Sequence, residues 1–130
     1  MGVRFPSVWS TTALNPTGTG GEIIVCTTPF LTLPIDSAAV IILWTLSYTN
    51  GATAIAPVIN IRRGPTTTSA LVQGTGTIGA PAASSGAEYS GAFIDPSTGA
   101  SAPQYSIGFN NSNSGTSVAF SNMSLIAFAL

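Results

Sequence analysis

Residues 38–48, AAVIILWTLSY, alternate in a way that only a strand uses. As an extended segment they place Val40, Ile42, Trp44, Leu46 and Tyr48 on one face and Ile41, Leu43, Thr45 and Ser47 on the other. The first face is apolar throughout; the second is apolar for half its length. The C-terminal MSLIAFAL repeats the pattern, with Met123, Leu125, Ala127 and Ala129 opposite Ile126, Phe128 and Leu130. Elsewhere the alternation is one-sided. Glu88, Ser90 and Ala92 oppose Tyr89, Gly91 and Phe93, and Tyr105, Ile107 and Phe109 oppose Ser106 and Gly108.

The pattern predicts strands over residues 22–28, 30–33, 39–48, 56–63, 68–72, 87–94, 104–109 and 117–129, the last beginning in two pieces. Stretches rich in Gly, Pro, Asn and Ser separate them, at 50–53, 74–86, 95–103 and 110–115. No window carries helical periodicity, and the β-branched, Gly and Pro content disfavours helix interiors. The expected fold is all-β, an antiparallel sandwich or barrel of about eight strands. Residues 22–130 form its single domain, and residues 1–21 a Gly/Thr-rich N-terminal arm carrying Phe5, Val8 and Trp9.

A sandwich covers one face of each sheet, so a strand apolar on both faces needs a second cover. In a chain of 130 residues that cover is another copy. The expected oligomer interface is Leu125, Ala127, Ala129, Ile41 and Leu43, with the small alanines on the tight side and Phe128 filling the subunit core. Phe5, Val8 and Trp9 of the arm are the expected contacts to a larger surface.

Composition sharpens this picture. Charged residues are 5% of the chain, and there is no histidine. The charged set is Arg4, Glu22, Asp36, Arg62, Arg63, Glu88 and Asp95, so lysine is absent as well. Ser and Thr supply about a quarter of the residues. A hydroxyl-rich, nearly neutral surface favours association. Three arginines and a net charge of -1 make no phosphate-tracking surface, so nucleic acid is not an expected partner. No apolar run reaches membrane-spanning length, and the N-terminus has neither the h-region of a signal peptide nor a myristoylation pattern.

Candidate chemistry is thin. Without histidine there is no Ser-His-Asp triad and no Cys-His pair, and without lysine no amine nucleophile. Glu88 and Asp95, seven apart, point to opposite faces of one strand and make a poor carboxylate pair. Gly74, Gly76 and Gly79 match G-x-G-x-x-G, but the following APAASSG does not open a helix on which a pyrophosphate could sit. Cys26, in the apolar EIIVCTT, reads as a buried small hydrophobe. Arg62 and Arg63 read as strand-end charges, one of them open to pairing with Glu88 or Asp36 at an interface. The sequons at Asn110 and Asn122 are discounted without a secretory leader. No enzyme, metal or cofactor is expected.

The ending SLIAFAL, Ser124–Leu130, resembles the final strand of tumour-necrosis-factor/C1q-like jelly rolls, where that strand runs beside the threefold axis of a trimer. The Thr/Ser/Gly/Ala-rich strands are similar in character to phage capsid decoration (cement) proteins. These resemblances imply an antiparallel β-sandwich, a jelly roll of about eight strands with the C-terminal strand central, and a homotrimer on the capsid surface of a virion, with a capsid protein as partner. Two other functions fit the same text: a receptor- or glycan-binding head module, and the coat protein of a small icosahedral virus.

Overall fold

Val40, Ile42, Trp44, Leu46 and Tyr48 are all buried, while Leu43 between them is 39% exposed, so the alternation of this strand divides core from outside as its sequence requires. The computed structural model describes residues 7–10, 21–28, 30–31, 39–77, 79, 81–96, 103–110 and 118–129. These contain strands β1 (Ser7–Ser10), β2 (Glu22–Thr27), β3 (Val40–Asn50), β4 (Val58–Arg63), β5 (Ala70–Thr77), β6 (Gly86–Asp95), β7 (Tyr105–Asn110) and β8 (Val118–Ala129). Among the described residues there is no helix.

The strands form two antiparallel sheets, in the orders β1-β8-β3-β6 and β2-β7-β4-β5. The ladders pair β1 with β8, β2 with β7, β3 with β6 and β4 with β5. The chain is one long hairpin rolled so that each successive strand, except at the β4–β5 turn, crosses to the opposite sheet. That is a jelly roll, and β8 is an interior strand of its sheet, as expected.

The core lies between the sheets. β3 and β8 face Val25, Ile59, Ile61, Ile107 and Phe109 across it. Phe109 meets Tyr48 and Phe120 edge-on, with ring centroids 5.2 and 4.9 Å apart. Such pairs add about 0.5–1.5 kcal/mol each beyond their burial. Trp44 lies beneath Gly91 of β6, where any Cβ would come within 2.7 Å of the indole Nε1. β8 changes phase along its length. Its register against β3 shifts between Ser47 and Tyr48, which leaves Ser121 as the extra residue. Val118 and Phe120 before it, and Met123, Leu125 and Ala127 after it, all reach the core.

Three expectations need correction. Ser7–Ser10, read as part of an arm, form a strand whose backbone pairs with Met123–Ile126 of β8. Phe30 and Leu31 are not in a strand: Leu31 is buried, with its N–H on the Pro103 carbonyl at 2.9 Å, and Phe30 is 70% exposed. Residues 32 and 33 lie outside the described residues. Phe128 does not fill the core. Leu125 and Ala127 do, each at 0% exposure, while Phe128 stands on the outer face beside Ile41. The cause is register: Ala127 is opposite Ile42 and shares its inward face, while Phe128 is opposite Ile41 on the outward one.

Candidate interaction surface

The outer face of β8-β3-β6 is built of rungs, because residues in register on neighbouring strands share a face. One rung is Phe128, Ile41 and Ile94; the next is Ile126, Leu43 and Ala92. Then the chemistry changes. The following rungs are Ser124, Thr45 and Ser90, and Asn122, Ser47 and Glu88. The face is therefore half apolar and half polar, with the boundary between Leu43 and Thr45. Ile94 is 55% exposed. In the polar half, the Thr45 and Ser124 hydroxyls are 2.7 Å apart, and Ser47 Oγ donates to Glu88 Oε2 at 3.1 Å.

Of the residues expected at an oligomer interface, the structure brings Ile41 and Leu43 to this face and turns Leu125 and Ala127 away from it. Ala129 is half-buried at the end of β8, in register with Val40. Val8 and Trp9 lie on β1, their backbones paired with Leu125 and Ser124. Phe5 and Leu130 lie outside the described residues. Sequence reasoning missed Ile94, Ile126 and Phe128 as members of one patch. The signal was present in the alternation of β8, but not the register that aligns it with β3 and β6.

Arg62 and Arg63 pair within the subunit rather than with Glu88, and Asp36 lies outside the described residues. On the outer face of the second sheet, Arg62 Nε donates to Glu22 Oε1 at 2.8 Å and Nη2 to Oε2 at 2.5 Å, and Nη1 donates to the Ser69 carbonyl at 2.7 Å. Between β2 and β4 runs β7, and the Glu22 side chain crosses it directly over Gly108. Arg63 reaches the other sheet. Its Nε donates to Asp95 Oδ2 at 2.8 Å and its Nη2 to Oδ1, while the Tyr105 hydroxyl donates to Oδ2 at 2.8 Å. Asp95 is 1% exposed, so this cluster clasps the two sheets together at one end. The hydrogen bonds to carboxylates hold both guanidinium groups above their ordinary pKa, and burial followed by the Asp95 contact pushes the Tyr105 phenol up.

The remaining sequence candidates are set apart from one another. Glu88 is exposed on the outer face and Asp95 buried on the inner one, as the alternation of β6 predicts. Gly74 and Gly76 lie within β5. Cys26 is buried, which raises its thiol pKa. Among the described residues no three His, Cys, Asp or Glu side chains gather where a metal ion could be held, and no helix is long and apolar enough to cross a membrane.

No family model matches this chain, and no curated protein matches it. Its fold has been seen in virus particles. A structure of the infectious bursal disease virus Gx strain aligns with a TM-score of 0.66 at 11% identity, over 97% of this chain and 32% of the matched one. T=1 particles derived from that virus align at 0.59, with 9% identity over 98% and 36% of the two chains. A VP2 subviral particle of infectious bursal disease virus gives 0.57, with 13% identity over 98% and 32%. The chain thus spans about a third of the length of the chains it matches. At these identities the likeness is one of fold, and it takes in nearly all of this chain.

Proposed function

We propose that this chain is a non-enzymatic structural protein of a virus particle, which decorates or cements a capsid as a homotrimer. The observation that carries the reading is the jelly roll shared, over nearly the whole chain, with infectious bursal disease virus particles. The surface supports it. The protein has few charges, and the arginines described are spent on internal ion pairs. Two apolar rungs lie open on the outer face of the first sheet. Each 100 Å² of apolar surface covered there contributes about 2.5 kcal/mol before ordering costs. In this reading the capsid contacts come from residues 1–21, with Phe5, Val8 and Trp9, and the subunit contacts from Ile41, Leu43 and their rung neighbours.

A second reading, the coat protein of a small icosahedral virus, is favoured by one specific finding: the matched structures are themselves particles. The experiment is to express the chain alone, size it by light scattering and image it by negative-stain electron microscopy. Discrete trimers support decoration, and closed shells support the coat. A monomer at micromolar concentration overturns both.

A further inference from the structure

Each sheet of the sandwich has two edges, and three of the four carry the devices that discourage strand addition. β1 is only 4 residues long. β2 has a register shift between Ile24 and Cys26. β5 meets β4 with two register shifts. β6 has none of these. Its 10 residues pair with β3 in unbroken register from Val40–Asp95 to Thr49–Gly86. It contains no proline and no basic residue, and its carboxylates are Glu88 and the clasped Asp95. Among the described residues no strand occupies its other side.

The side chains of β6 match that open backbone. On the outer face Ala92 and Ile94 are exposed, and on the inner face Tyr89 and Phe93 are only partly covered by the core they pack against. A strand laid along β6 covers both rims at once.

We infer that β6 is a self-association edge, which pairs antiparallel with β6 of a second copy about a twofold axis through Gly91. The occupant follows from the sequence of the strand. Paired residues must share a face, so the registers open to β6 against itself pair odd positions with odd and even with even. Centred on Gly91, Tyr89 faces Phe93 of the second copy on the inner side, and Ser90 faces Ala92 on the outer side. Glu88 faces Ile94, so the two Glu88 carboxylates lie at opposite ends and do not repel. Gly91 faces its own twin at the point where Trp44 fills the space beneath. A twofold contact of this kind is self-complementary by construction. It joins two sheets into one continuous sheet and goes beyond the proposed function, needing neither a threefold axis nor a capsid.

Two variants of the full chain test it. Ser90→Lys with Ala92→Lys sets lysine opposite lysine at both exposed positions, and weakens the twofold contact by about tenfold or more in sedimentation or light-scattering titrations. Ser90→Cys with Ala92→Cys, oxidised with copper phenanthroline, gives a dimer whose disulfide joins residue 90 of one copy to residue 92 of the other in peptide mapping. Retention of the wild-type association by the lysine variant, or absence of that crosslink, overturns the inference. So does a crosslink from β6 to a capsid protein in place of the second copy. A trimer that persists in the lysine variant leaves the proposed function standing while removing only this contact.

Discussion

Glu22 reaches Arg62 by lying across Gly108, the one residue of β7 between them that offers no side chain in the way. A methyl group at position 108 would overlap the carboxylate. Gly108→Ala therefore costs about 1–3 kcal/mol, as overpacking at a partly buried ion pair does. Urea melts measure it. Adding Glu22→Ala to the same variant recovers part of the loss, because the obstructed side chain is gone; a purely additive double variant contradicts the account.

Ala127 and Leu43 stand on opposite sides of the first sheet, and glutamate separates their roles. Ala127→Glu forces a carboxylate into a site with 0% exposure, and the subunit loses about 4 kcal/mol or more, or fails to fold. Leu43→Glu adds charge to a position already 39% exposed, so stability changes by about 1 kcal/mol or less while the proposed oligomer dissociates. Thermal melts and light scattering on both variants check the pair.

Removing residues 1–20 takes β1 from the sandwich. The edge of β8 that pairs with Ser7–Ser10 is then bare. Loss of those cross-strand pairs lowers stability by about 1–3 kcal/mol, and the exposed interior strand promotes aggregation. An unchanged melting temperature and a clean sizing profile for the truncated chain contradict β1 as a structural strand.

Cys26 is a probe of opening. Burial raises its thiol pKa, so at pH 8 its reactive thiolate is scarcer than that of an exposed cysteine. Alkylation of the folded protein proceeds only as fast as β2 opens. In urea above the unfolding midpoint it reaches the rate of a free thiol. Pulse alkylation read by mass spectrometry distinguishes the two regimes.

What the sequence disclosed followed from what is local. Val40–Tyr48 declare their faces by alternation, and the turn-rich stretches around 50 and 110 bound their strands in the same local way. β1 left no such mark, since SVWS is four residues and its partner, Met123–Ile126, is more than a hundred residues away. The partners of Arg62 and Arg63 are 40 and 32 residues distant, and nothing in the dipeptide itself selects Glu22 or Asp95 over Glu88. Size misled at the end of β8. A large Phe128 and a small Ala127 read as core and contact, but the face each takes is set by its partner across the ladder, Ile41 for Phe128 and Ile42 for Ala127.

The place of β8 between β1 and β3 also sets a timetable. Ser7–Ser10 are made more than a hundred residues before their sheet partner, Val118–Ala129. That interval is on the order of ten seconds at ordinary rates of synthesis. Throughout it β3, apolar along its inner face, has a ladder on one side at most. The nascent chain therefore waits, sticky and half-paired, and closure of the first sheet belongs to the moments after the ribosome has finished with β8.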